Sequence, residues 1–437
     1  MKVKTISRSS ERRERSGDLH KMQRNLDPAL HPFERAREYT RALNATKLDR
    51  LFAKPFVAAL DGHMDGVYCM AKHPTHLTSI LSGSGDGEIK MWSLSSLSVK
   101  WSAQGHKGLV KGLCAVPYSS QFMSVGSDKM VKIWDLDKTD AIASFVAKSA
   151  FSGIDHHRSK PQFATASTCV ELWDHQRAEP FQTLSWGAET VTSVRFNQTE
   201  TSMLSSCGTD RTLALYDLRT MSPISKLVMA MQTNAMAWNP MEAFNFTTAN
   251  EDHNCYTFDM RNLSKALSVA KDHVSAVMDI DYSPTGQEFV TGSYDKTVRI
   301  FNSRDGHSRD VYHTKRMQKV FAVRYSMDSK FVLSGSDEGN IRLWKAQASD
   351  KLGTLSNREV ASIQYSKAIH KRYDHMPEIK RIDRHRRLPK AIKSTTAKKR
   401  VMVEAVKRKE QNERAHSKPG AVPFKAERKK HILSVEK

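Results

Sequence analysis

Seven short apolar strands in this 437-residue chain end in an aromatic residue: Trp92, Trp134, Trp173, Tyr216, Phe258, Phe301 and Trp344. Successive gaps are 42, 39, 43, 42, 43 and 43 residues, and so constant a period leaves few architectures open. One supersecondary unit must recur, each copy too small to bury its own apolar surface, so that neighbours stack and share a core. The approach to the anchors alternates, as in Ile89-Lys90-Met91-Trp92, Val131-Lys132-Ile133-Trp134 and Val298-Arg299-Ile300-Phe301. Period-two patterning predicts β-strand. The residues one and three before each anchor are expected to face one neighbouring unit, and the anchor the other.

Six residues before the anchor stand Asp86, Asp128, Asp210, Asp252 and Asp295, and farther upstream lie Gly62-His63, Gly105-His106 and, in the sixth unit, His273. This pattern resembles the WD-repeat family. The resemblance implies an all-β fold, a seven-bladed β-propeller over residues 54–348, flanked by a basic N-terminal extension (1–53) and a basic, mostly helical C-terminal domain (349–437). It also implies a blade-stapling network in which the Asp accepts from the turn backbone and an upstream His, and a strand Ser or Thr (Ser82 in blade one) joins the Trp N–H. Each bond is expected to contribute roughly 1 kcal/mol net. The residues assigned to it are His63, Asp86, Trp92, His106, Asp128, Trp134, Asp210, Asp252, His273, Asp295 and Trp344. A His, a Ser and an Asp in one blade invite a hydrolase reading, but a nucleophilic triad repeated around a ring makes no mechanistic sense.

Departures from the pattern carry their own expectations. Ser167 replaces the Asp of blade three, Glu338 stands beside Asp337 in blade seven, and Tyr216, Phe258 and Phe301 remove the indole donor. Those blades are expected to rest mainly on apolar packing. No regular strand follows Trp344-Lys345, whereas the orphan segment Lys54-Pro55-Phe56-Val57-Ala58-Ala59-Leu60 precedes the first Gly-His. It is expected to close blade seven, because an open ring would leave an exposed strand edge.

The formal net charge of +22 is unevenly placed. Residues 1–50 hold 13 Lys/Arg against 7 Asp/Glu, residues 351–437 hold 25 against 9, and the 31 basic residues between them are matched by 31 acidic ones. A neutral ring with basic flanks points to a polyanionic partner, since each neutralised phosphate releases counterions; a solubilising or nuclear-import tail is the alternative. The five cysteines, Cys69, Cys114, Cys169, Cys207 and Cys255, form no CxxC pair and no zinc-spaced cluster, and are read as reduced core residues with no metal role. The polar start of the chain and the lack of an 18-residue apolar window lead to the expectation of a protein neither secreted nor membrane-spanning. No phosphate-loop, HExxH or GxSxG motif occurs, so no catalytic residue, cofactor or small-molecule substrate is expected.

Longer stretches narrow the family. Asp27-Pro28-Ala29-Leu30-His31-Pro32-Phe33, the run from Arg41 to Lys47 leading into Phe52-Ala53-Lys54-Pro55-Phe56, Asn239-Pro240-Met241-Glu242-Ala243-Phe244, His313-Thr314-Lys315-Arg316-Met317-Gln318 and His416-Ser417-Lys418-Pro419-Gly420 together resemble the WD repeat and SOF domain-containing family. The resemblance spans essentially the whole length. It implies a nucleolar, non-enzymatic ribosome-biogenesis factor. Its place would be the small-subunit processome, in single copy beside pre-rRNA and U3 small nucleolar ribonucleoprotein proteins. It also implies an association with cullin-RING ubiquitin ligases.

Two groups of residues would carry these contacts. Lys380, Arg381, Arg384, Arg386, Arg387 and Lys390 fall within eleven positions, and Lys398, Lys399, Arg400, Lys407, Arg408 and Lys409 form two clusters, all read as RNA- or ribonucleoprotein-binding. The segment from Ala397 to Ala415 is predicted helical, with Val401, Ala405, Met402 and Val406 as a thin apolar stripe ordered by a partner. Its clusters also resemble a nuclear-import signal. In the N-terminal arm, Arg12, Arg13 and Arg15 lie in a polar run, and Pro32 to Leu43 reads as a short helix packing on the propeller rim or a neighbouring protein. Asp217 with Arg219, and Asp259 with Arg261, resemble the WDxR box that docks propellers onto a ligase adaptor, although neither has its Trp.

Overall fold

The computed structural model describes residues 28–186 and 190–436, and Arg12, Arg13 and Arg15 lie outside them. By contacts the chain falls into two units: 1–55 with 347–387, and 56–346 with 388–437.

The second unit contains the ring. Seven antiparallel sheets follow one another, and the strands Val67–Lys72, Ser79–Ser84, Glu88–Ser93 and Ser98–Gln104 of blade one set the order, the anchor lying on the third. Packing obeys the expected division. Ile89 and Met91 share a cluster with Trp134 of blade two, while Trp92 packs with Ile341 and Leu343 of blade seven. Both faces of each sheet are thereby buried and no blade has a core of its own. Blade seven closes as expected, with Phe56–Leu60 running antiparallel to Ile341–Lys345.

A local reason for the turn carboxylates is visible in the backbone. The residue after each is left-handed, with φ of 89° at Gly87, 64° at Lys129, 66° at Arg211, 72° at His253, 64° at Lys296 and 79° at Gly339. A non-glycine residue in that region costs of order 1 kcal/mol, and a carboxylate that accepts the N–H two residues on offsets it. The N–H groups of Met130, Thr212, Asn254 and Thr297 donate to Asp128, Asp210, Asp252 and Asp295 at 3.2, 3.1, 3.0 and 3.0 Å.

The first unit is helical. Helix α1 (Glu34–Leu51) packs on α2 (Asn357–Tyr373) and α3 (Pro377–Arg384) around Ala42, Ile369, Tyr373 and Ile379. A capping box starts α2: Glu359 N–H donates to the Ser356 hydroxyl, and the Ser356 N–H to the Glu359 carboxylate. The expected boundaries are therefore redrawn. The helix read as Pro32 to Leu43 extends to Leu51, and it packs on the first part of the C-terminal extension. The remainder of that extension forms α4 (Lys390–His416), the single turn α5 (Glu427–Lys430) and a strand, Ile432–Glu436. That strand was missed. It joins blade four as a fifth strand, antiparallel to Ser222–Met229, with Ile432 and Val435 against the cluster of Leu227 and Met229. Its sequence signal was the short run Ile432-Leu433-Ser434-Val435, rich in apolar and β-branched residues, after a charged turn.

Candidate nucleic-acid interface

The expected blade network exists in full in one blade, and the other blades show what each substitution does. In blade two the Trp134 indole donates to the Ser124 hydroxyl (2.8 Å), which lies 2.7 Å from His106 Nε2, while His106 Nδ1 is 2.9 Å from Asp128. These partners require an Nδ1–H imidazole that accepts from Ser124. Burial holds His106 below its ordinary pKa against the pull of Asp128. Blade six repeats the chain without an indole: His273 lies 2.8 Å from Asp295 and 2.7 Å from the Thr291 hydroxyl. Burial raises Asp295, but the His273 charge and bond and the Thr297 hydroxyl outweigh it and hold the carboxyl well below the usual range. In blades three and seven the indoles of Trp173 and Trp344 donate to Thr165 and Ser334 at 2.9 and 2.8 Å.

One pairing needs correction, and two carboxylates for which no histidine was expected show what they meet. His63 reaches Ser82 at 2.6 Å, but its Nδ1 faces Glu88 at 3.4 Å and not Asp86, which is taken by the Ser84 hydroxyl. Lys90 explains this, since it pairs with Glu88 at 2.9 Å and donates to the Gly62 carbonyl, fixing the glutamate beside the histidine. Asp210 meets Thr212 and no histidine. Asp252 does meet one, but it is His431, at 3.3 Å, from the far end of the chain.

The basic residues are divided between the two units. Lys380, Arg381 and Arg384 are exposed on α3, with Arg386 and Arg387 just after it, whereas Lys390 and the clusters at 398–400 and 407–409 lie on α4. Pro389 sits at the helix start, where its missing N–H costs nothing, and α4 then runs 27 residues, about 40 Å at 1.5 Å per residue. Its exposed cations include Lys390, Lys393, Lys398, Arg400, Lys407, Arg408 and Lys409; Arg400 pairs with Glu404 and Lys407 with Glu427, at 2.8 and 3.0 Å. Lys399 is turned inward and donates to the His273 carbonyl at 3.1 Å, so it fastens the helix to blade six.

The anticipated apolar stripe does not hold α4. Val401, Met402 and Val406 are 61%, 69% and 54% exposed. Polar contacts do the fastening: Lys430 to Glu410 at 2.6 Å, Glu427 to Lys271, and the Ala230 and Ala266 N–H groups to the carbonyls of His431 and Arg428 at 2.9 and 3.0 Å. The bonds from Lys271 and then Lys407 draw Glu427 down to about 2.

Arg219 and Arg261 extend from the ends of the third strands of blades four and five, exposed, each folded onto its own Asp. Arg261 is the more tightly placed, 2.8 Å from Asp259 and 4.5 Å from the Phe244 ring centroid. Four cysteines are buried, Cys169 is half-buried, and burial pushes the Cys69 and Cys207 thiols up to about 12. Among the described residues no helix is long and apolar enough to cross a membrane.

Residues 346–432 match the Sof1-like domain, and 54–93, 98–135, 178–217, 264–302 and 305–345 match the WD domain, G-beta repeat. The first three strands of blades three and five fall outside those matches. The chain is 52% identical over 443 residues to a Xenopus laevis protein named DDB1- and CUL4-associated factor 13, covering 100% of both. A Homo sapiens protein of the same name is 51% identical over 445 residues, again covering 100% of both. Protein SOF1 of Saccharomyces cerevisiae is 50% identical over 464 residues, covering 99% of this chain and 94% of that protein.

Proposed function

Because the chain belongs to the Sof1-like family of WD-repeat proteins, we propose that it is a non-enzymatic scaffold of ribosome assembly in the nucleolus. It is a component of the U3-containing small-subunit processome, required for pre-rRNA processing and 18S rRNA maturation. The observation that carries this reading is α4, a helix about 40 Å long by its rise per residue, fastened to a neutral ring through Lys399 and to the segment that follows it through Lys407 and Glu410, while Lys398, Arg400, Arg408 and Lys409 are exposed. Cations at that density track a phosphate backbone without reading sequence. Pre-rRNA and U3 particle proteins are the partners.

The test replaces Lys398, Arg400, Arg408 and Lys409 with Gln, which leaves Lys399, Glu410 and the fifth strand intact. The variant is expected to leave the pre-ribosomal fractions of a sucrose gradient and to cause unprocessed small-subunit precursor RNA to accumulate. Normal sedimentation and normal processing would sink the proposal.

A second activity has its own observation. Relatives are named as DDB1- and CUL4-associated, and Arg219 and Arg261 occupy equivalent places on adjacent blades, both exposed and both preset by an Asp. Docking onto that adaptor is expected to require them. Replacing both with Ala should abolish co-purification of DDB1 and leave pre-ribosome association unchanged; retained co-purification refutes the assignment.

A further inference from the structure

The innermost strands of the seven blades neighbour one another in a closed ring. Six of them are interrupted at the second residue. Tyr68, Lys111, Thr192, Asn234, Met278 and Phe321 each fall in a register shift, between residues whose partners are consecutive on the next strand. Blade three pairs from Gly153 to His156 without a shift, so the bulge is not required to close the ring. A bulge leaves its extra residue unpaired and re-aims its side chain. These six recur at one level, at the strand ends nearest the His–Asp networks, and none is fully buried.

Their side chains meet from blade to blade. Tyr68 stacks on Phe321 with centroids 4.5 Å apart and planes at 15°, and Tyr294, from the turn of blade six, meets Phe321 edge-on at 5.8 Å. Three half-exposed rings thus form an arc over blades six, seven and one. Exposed Asp65 and Asp337 flank it, the first oriented by the Gly66 N–H at 2.7 Å. Burial and then the carboxylates of Asp65 and Asp337 push the Tyr68 phenol up, and burial with Asp337 and Glu251 does the same to Tyr294. One cation of the chain already uses the arc: Lys319 Nζ lies 5.1 Å from the Tyr294 centroid. Aromatic faces beside carboxylates attract cations and disfavour phosphate.

We propose that the arc of Tyr68, Phe321 and Tyr294, flanked by Asp65 and Asp337, is a docking site for an arginine or lysine side chain of a basic polypeptide segment. At this arc a partner would meet aromatic faces and carboxylates where α4 offers cations, so one propeller could hold RNA by its tail and a basic protein by its ring.

The test titrates the full chain with fluorescein-labelled Gly-Ser-Arg-Ser-Gly, its lysine and citrulline counterparts, and a six-nucleotide oligouridylate, read by fluorescence polarisation. Saturable binding of the arginine or lysine peptide is expected, at least tenfold weaker for citrulline and for the variants Phe321→Leu and Asp337→Asn. Phe321→Leu keeps an apolar side chain and loses the ring, and an unchanged melting temperature shows that it folds. No saturable binding of either cationic peptide overturns the proposal, as does equal binding of citrulline or unchanged binding in both variants. Oligouridylate binding that Phe321→Leu abolishes also overturns it, and makes the arc a base-stacking platform.

Discussion

The two turn carboxylates Asp295 and Asp210 occupy the same place in their repeats and are expected to differ severalfold in what they contribute to stability. Asp295 has a side chain only 3% exposed and accepts from His273 Nδ1 (2.8 Å), the Thr297 N–H (3.0 Å), the Thr297 hydroxyl (2.5 Å) and the Val274 N–H (3.3 Å). In Asp295→Ala the hydroxyl can turn elsewhere but three N–H donors lose their acceptor. At about 1–3 kcal/mol for a buried donor left unmade, weighted to the low end because neighbours relax, the loss is about 3–5 kcal/mol. Asp210 is half-buried and meets the N–H and hydroxyl of Thr212. Its removal is expected to cost about 1 kcal/mol. For a ring this large each kcal/mol moves the melting temperature by about 2 °C, so calorimetry should show falls of about 6–10 °C and about 2 °C. Asp295→Asn should lie between, since the amide keeps one acceptor and places a donor against another. Equal shifts for the two alanine variants would refute the view that the histidine relay, and not the Asx turn common to both, gives the carboxylate its weight.

Three further outcomes follow from the contacts. His273 is held below its ordinary pKa by burial, and Asp295 below its own because the His273 charge and bond outweigh burial, so both contributions are present above pH about 6.5 and are lost as pH falls, first through the histidine range and then through the carboxylate range; in the carboxylate range acid melts of Asp295→Ala should be flatter than those of the parent. His370 is the reverse case. Its bond to Asp383, at 2.7 Å, raises its pKa, so its contribution is present at low pH and lost as pH rises through the folded value; proton NMR titration should place it above about 6.5, and Asp383→Asn should return it. Deleting residues 432–437 should raise amide exchange in Ser222–Met229, whose outer edge the last strand covers, and unchanged protection there would contradict the pairing.

What was legible in the sequence is what the repeat repeats. Period, alternation and the aromatic anchors depend on local spacing alone, so they gave the blade count, the strand that carries each anchor and the closing segment at Phe56–Leu60. Partners chosen across distance were less visible. That Glu88 and not Asp86 faces His63 depends on Lys90, whose role shows only when Gly62 is brought beside it. The division of the basic run after Arg387 was hidden for a related reason: composition is continuous there, while contacts are not. The attachments of α4 within the chain were not legible either, because a helix fastened through Lys399, Glu410 and Glu427 leaves no hydrophobic periodicity to read at those contacts.

The tail's attachments also explain why the irregular blades are tolerated where they are. Blades four, five and six are those whose anchors, Tyr216, Phe258 and Phe301, lack an indole. They are also the blades the C-terminal segment reaches: the strand Ile432–Glu436 extends blade four, His431 meets Asp252 of blade five, and Lys399 caps the His273 carbonyl entering blade six. Blades one, two, three and seven keep the Trp and its Ser or Thr acceptor. A bracing segment supplies from outside some of the cross-links that the indole supplies from within. The basic helix and the weakened arc of the ring are therefore coupled: whatever pulls α4 away also unfastens blades four to six, and a partner that holds α4 in place stabilises that side of the propeller by mass action.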